Sequence, residues 1–169
     1  MVAMEIPSNL VELLYLRHVW ELDVLPEMPK VYPAPPLGTA SRPDRKWLEQ
    51  DWLELWATEI AHDPHAITAP ESWRSTHGTY GFDHQIHREW KTQVRTQCYE
   101  EFFMPEYFAK NGKMVDRLEN LEAQGVNEVI VLPLQETYLD RPGPQSLIVA
   151  TATLRDDNLW KQAIAGASL

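Results

Sequence analysis

The 169-residue chain carries a single cysteine, Cys98. One thiol cannot close an internal disulfide, which excludes a disulfide-stapled secreted scaffold. Glycine is scarce at seven, and no P-loop, dinucleotide fingerprint or G-x-S-x-G elbow occurs. Positive charge is also in short supply. Fifteen Lys and Arg face 25 Asp and Glu, for a net charge of −10. General nucleic-acid binding needs cations to displace counterions from phosphates, so this balance argues against it. It argues equally against docking on an anionic membrane surface. No apolar run approaches the roughly 20 residues that span a bilayer. Glu5, Glu12, Arg17 and His18 interrupt the N-terminal apolar stretch, a helix pattern rather than a signal peptide. The expectation is a soluble, cytoplasmic protein with neither nucleic acid nor membrane as partner.

Proline (13) and tryptophan (7) are abundant. The length suits one domain over residues 1–169, and an apolar content of 44% suits an ordinary core. The pattern predicts an α+β fold, predominantly helical. A helical bundle is crossed by a proline-rich extended segment and followed by a C-terminal β-hairpin and a short terminal helix.

Residues 1–7 read as a loose tail. Asn9-x-x-Glu12 resembles a capping box, and a first helix follows that should end before Pro26. Residues 26–43 hold six prolines. Each fixes φ and removes a donor, so the segment reads as a stiff extended strap over the domain. Asp44 opens a second helix with Leu48, Trp52, Leu55, Trp56 and Ile60 on its apolar face, stopped by Asp63-Pro64. Residues 63–81 read as a loop, long enough to suggest function. Asp83 caps a third helix with Ile86, Trp90, Val94, Cys98 and Phe102 on its core side, kinked or ended at Pro105. Met114, Leu118 and Leu121 mark a fourth helix closed by Gly125. Val129–Leu132 and Leu147–Leu154 read as strands, joined through the turn Arg141-Pro142-Gly143-Pro144 into a hairpin over 127–154. Both strands are apolar on both faces, so a second copy pairing along an open edge is an expected route to a homo-oligomer.

Five of the six histidines fall between His62 and His87. Neutral imidazole is the commonest metal ligand, and a metal needs three or four converging donors. His62, His84 and His87 are the candidate set, suiting Zn, Fe or Mn. The i, i+3 pairs His62/His65 and His84/His87 differ from the i, i+4 spacing of zincins, and no cofactor is expected from any motif. The competing reading is a set of boundary histidines bonded to carbonyls or water. In the loop, Trp73, Arg74, His77 and Tyr80 could wall a small anionic ligand. The alternative is that Trp73 and Tyr80 only pin the loop. Trp47 lies outside the arc shared by Trp52 and Trp56. With Tyr32, Pro33 and Pro36 of the strap it forms the candidate protein-interaction surface. Cys98 reads as a small buried hydrophobe.

Residues 1–85 hold 6 basic and 13 acidic residues, and residues 86–169 hold 9 and 12. A basic protein partner would therefore land on the N-terminal half. With no catalytic motif present, the sequence reads as a non-enzymatic accessory or adaptor protein acting through protein–protein interaction. The alternative is a metal-dependent hydrolase or oxygenase built on the histidine cluster.

Overall fold

The computed structural model describes residues 2–44, 46–62, 67–104 and 112–166. Among them are seven α-helices and a four-stranded mixed sheet, which makes the chain α+β. The expected breaks at Asp63-Pro64 and Pro105, and His65, lie outside the described residues.

The N-terminal residues are not a loose tail. Ala3–Glu5 form strand β1, at one edge of the sheet. Helix α1 (Ser8–Val19) follows directly. Eight of its twelve residues are buried, Leu10 to Leu16 without a break, so it is apolar nearly all round and lies inside the molecule. The expected capping box does not form, because both of its side chains bind elsewhere. Asn9 donates to Glu59 Oε2 and the Pro70 carbonyl, and Glu12 accepts the Arg74 backbone N–H at 3.0 Å.

α1 ends at Val19, before Pro26 as expected. Glu21 takes φ 49°, with its N–H on the His18 carbonyl and the Leu22 N–H on the Arg17 carbonyl. This is a Schellman closure with glutamate where glycine is usual, at a cost of about 1 kcal/mol. The described residues from there to Trp47 form no helix or strand, apart from a bridge between Val31 and Leu134. Arg17 organises this stretch. Its guanidinium donates to the carbonyls of Val24, Leu25, Met28 and Pro29 at 2.7–3.1 Å.

Helix α2 (Leu48–Ile60) starts later than the expected Asp44 and buries Leu48, Trp52, Leu55 and Trp56. The segment read as plain loop contains a short helix, α3 (Trp73–His77), capped by Ser72. Helix α4 (His84–Cys98) is capped by Asp83, as the sequence predicts. It runs into a π-helical turn, Tyr99–Phe103. Helix α5 (Gly112–Ala123) ends on Gly125 at φ 83°, again as expected.

Three tryptophans join these pieces through their indole N–H groups. Trp52 donates to the Leu13 carbonyl at 2.7 Å, Trp90 to Pro33 at 2.7 Å and Trp20 to Gly81 at 3.3 Å. Each ring thus adds a directed bond to its buried area.

The hairpin expectation is overturned. Strand β2 (Glu128–Leu132) and strand β4 (Ser146–Ala150) are parallel, with Glu128 opposite Ser146 and Leu132 opposite Ala150. The turn at 141–144 does reverse the chain, but it joins β4 to the two-residue strand β3 (Leu139–Asp140). The sheet order is β1-β2-β4-β3. β2 and β4 occupy its interior, which is where strands apolar on both faces belong. The second strand also stops at Ala150, because helix α6 (Thr151–Arg155) begins there. Its threonines read as strand formers, yet Thr151 donates to the Leu134 carbonyl and Thr153 to the Tyr138 carbonyl. Helix α7 (Asp157–Gly166) follows. Among the described residues, no helix is long and apolar enough to cross a membrane.

Candidate functional site

The loop residues Trp73, Arg74, His77 and Tyr80 are organised by α3. Trp73 is buried edge-on against Trp20, with centroids 5.3 Å apart, and its ring centroid lies 4.2 Å from that of His77. Trp47 stacks on His77 at 5.1 Å and 20°. His77 Nε2 lies 3.2 Å from Asp51 Oδ2, outside hydrogen-bonding alignment. Two indoles and a carboxylate thus pack around the imidazole. Arg74 and Tyr80 are exposed. The four residues line none of the three cavities described below. Trp47, expected to be exposed or covered by the strap, is half-buried and stacks on His77.

The three candidate metal ligands occupy different surroundings. His62 lies near the carboxylates of Glu5 and Glu59. His84 is exposed, with its ring on Phe82. His87 is 2% exposed and packs edge-on against Tyr15 at 4.7 Å and Phe82 at 4.5 Å. Burial, then the charges of Lys91, Arg74 and His84, push its pKa from 6.5 down to about 3. Its Nε2 and the hydroxyl of the neighbouring Tyr15 are both buried without a hydrogen-bond partner. No group of three His, Cys, Asp or Glu side chains among the described residues is arranged to hold a metal ion. Cys98 is buried, and burial pushes its thiol up to about 11, so it is unreactive at neutral pH.

The strap residues stand beside open surface. Tyr32 is 54% exposed, while the Pro33 carbonyl holds Trp90 and Pro36 faces solvent. Tyr32 lines a groove of ≈ 600 Å³ with Gln97, Glu100, Glu101 and Arg155. Arg155 is not free there, because it makes a bidentate pair with Glu101 at 2.6 and 2.8 Å.

A second groove, of ≈ 640 Å³, runs between β1 and the C-terminal end of α4. Met4, Glu5 and Ile6 form one wall. Arg95, Tyr99, Glu100 and Phe103 are on the other. Tyr99 is 56% exposed. Glu100 lines both grooves, so the π-helical turn is the ridge between them.

Comparison with protein-family models, curated proteins and solved structures finds no match to this chain.

Two features make the β1 groove receptive. Ala3 donates its N–H to Asn127, so Ala3 and Glu5 face β2 and the alternation of a parallel ladder turns the N–H and C=O of Met4 outward. Electrostatics add to this. Partial burial, then the carboxylates of Glu128 and Glu59, raise the Glu5 pKa, with His62 acting in the opposite direction. Glu5, in the groove wall, thus carries the repulsion of two carboxylates beside it. Tyr99, Met4 and Arg155 were not singled out from sequence. Tyr99 follows Cys98 directly and falls off the buried His87/Trp90/Val94/Cys98 stripe, so the helical period itself was the signal that could have marked it as exposed.

A third cavity, of ≈ 460 Å³, lies under the C-terminal end of α1. Leu14, Leu22 and Val31 give it an apolar floor. His18, Glu21, Asp23 and Lys30 are charged or titratable groups in its lining.

Proposed function

We propose that the protein is a non-enzymatic accessory or adaptor protein, acting in the cytoplasm, whose paired grooves either side of the π-helical turn receive a basic protein partner. The observation that carries this reading is the pair of half-exposed tyrosines, Tyr32 and Tyr99, set in two open grooves that share the Glu100 ridge. Tyrosines of this kind supply large contact area with few rotamers to freeze, which suits an anchor position. The repelling carboxylates around Glu5 favour a cation arriving from outside. The net charge of −10 steers the same class of partner. The reading also includes self-association, with the outward edge of β1 as the surface for a second copy. Light scattering at micromolar concentration tests that element, and a monomer removes it.

The experiment for the main reading is retention of proteins from a native lysate on the immobilised wild type, a Tyr99→Ser/Glu100→Lys variant and an Ile67→Ser control. Tyr99 and Glu100 are exposed, so the variant keeps the core. The expected result is a basic protein retained by wild type and control but lost by the groove variant. An identical retained set on all three overturns the reading.

A further inference from the structure

The closure of α1 uses a residue its backbone does not favour. Glu21 sits at φ 49° and is held by the bonds to His18 and Arg17. The same pair of bonds closes α5, where Gly125 and Val126 donate to Glu122 and Leu121, and there the left-handed residue is glycine at φ 83°. An L side chain in this conformation is strained, and such strain is a pointer to function. At Glu21 the side chain placed by the strain lines the cavity under α1.

That cavity has the makings of a binding site. Its floor is apolar, and its ≈ 460 Å³ falls in the range that encloses small ligands. Among the described residues, the carboxylates of Glu21 and Asp23 and the ammonium of Lys30 make no hydrogen bond or ion pair. Arg17, also in the lining, is committed to the four carbonyls of residues 24–29 and fixes that wall. His18 is half-buried. Burial, then Lys30, lowers its pKa, so it meets a ligand as a neutral hydrogen-bonding group. The free charges are therefore of both signs around an apolar floor. A phosphate ester would meet two carboxylates against one ammonium. A fatty acid would leave both carboxylates unpaired.

We propose that the cavity binds a small zwitterion with an apolar body, an aliphatic or aromatic α-amino acid or its dipeptide, with the ligand ammonium taken by Glu21 and Asp23 and its carboxylate by Lys30. This site is separate from the partner grooves, so it stands or falls independently of them.

The test is isothermal titration at neutral pH with L-leucine, L-phenylalanine and the Leu-Leu dipeptide, each also as its N-acetyl and carboxamide form. The free zwitterions bind, and blocking either terminus weakens binding about tenfold or more, the loss of one charge-assisted hydrogen bond. Glu21→Gly weakens the zwitterions similarly while fitting the left-handed backbone better than the wild type, so failure to fold does not confuse the result. Lys30→Met, on an exposed side chain, does the same for the carboxylate. Binding that survives in the Tyr99→Ser/Glu100→Lys variant separates the cavity from the grooves. No heat of binding at up to about 10 mM ligand overturns the proposal. So does equal binding of the blocked forms, or unchanged binding by both Glu21→Gly and Lys30→Met.

Discussion

Acid should unsettle this protein through His87. In the folded chain its imidazole lies against Tyr15 and Phe82, its Nε2 is buried without a partner, and Lys91, Arg74 and His84 add positive charge nearby. Its pKa falls from 6.5 to about 3. The fold therefore favours the neutral ring. The corresponding stability is fully present above pH 6.5 and is lost as the pH drops towards 3, because the unfolded chain takes up a proton that the folded chain refuses. Between about pH 7.5 and pH 5 the loss amounts to about 2 kcal/mol, approaching about 1.4 kcal/mol per pH step at the lower end. Domains of this size are stable by only about 5–15 kcal/mol, so the effect is measurable. Lowered His18 acts in the same direction. The raised carboxyls of Glu5, Glu12 and Glu59 act in the opposite one close to their own titration, so the interval from about pH 6.5 to pH 5 isolates the histidines best. The assay is urea unfolding followed by tryptophan fluorescence across that interval, comparing the wild type with His87→Leu. At neutral pH the variant should lie within about 1 kcal/mol of the wild type, since it removes an orphaned nitrogen and keeps the volume. Its pH slope should be shallower by close to one proton. An unchanged slope refutes the reasoning. So does a His87 ring in the wild type that titrates by NMR near pH 6.5.

Two further tests address the scaffold. Arg17→Met removes one guanidinium and leaves the carbonyls of Val24, Met28 and Pro29 without their donor, while that of Leu25 keeps only the Met28 N–H, so chemical denaturation should record a loss of about 3 kcal/mol; a loss below about 1 kcal/mol means the strap is held by something else. Gly81→Ala and Gly78→Ala form a matched pair, both at positive φ. At Gly81 the new methyl would meet the Ser41 carbonyl at 2.8 Å and the Trp20 ring at 2.9 Å, whereas at Gly78 nothing lies within 4 Å. Gly78→Ala should cost about 1–3 kcal/mol from backbone strain alone and Gly81→Ala clearly more, and equal costs would count against the packing of Trp20 on that loop.

The helical parts were legible because their signals are local. Asp83 caps α4 and Gly125 closes α5 as their chemistry predicts, and the apolar face of α2 carries the residues expected of it. What failed depends on distant partners. Nothing within residues 1–7 announces that Ala3–Glu5 will pair with Glu128–Ile130. The turn at 141–144 has a clear sequence signal, but the strand it returns from is only Leu139–Asp140, too short to show a period, so the sequence offers the longer Val129–Leu132 run as the apparent hairpin partner. Glu12 shows a different failure. A local cap was expected of it, and burial diverted it to the backbone of α3. The candidate sites divide in the same way. Tyr32 stands among the strap residues named for an interaction surface, whereas its companion Tyr99 does not. The strain at Glu21 is a backbone property that no side-chain pattern reveals.

The parallel pairing of β1 with β2 has a bearing on how the chain is made. Ala3 lies opposite Glu128, 125 residues later. At roughly 5–20 residues per second, synthesis delivers that partner about 6–25 s after β1. Throughout that interval α1, eight of whose twelve residues are buried in the finished fold, exists without the sheet that its own strand will join. Such a chain has little opportunity to fold as it emerges. Its N-terminal segment must be kept from aggregating until the last third arrives, so yield in a cell should depend on nascent-chain chaperones more steeply than the stability of the finished domain would suggest.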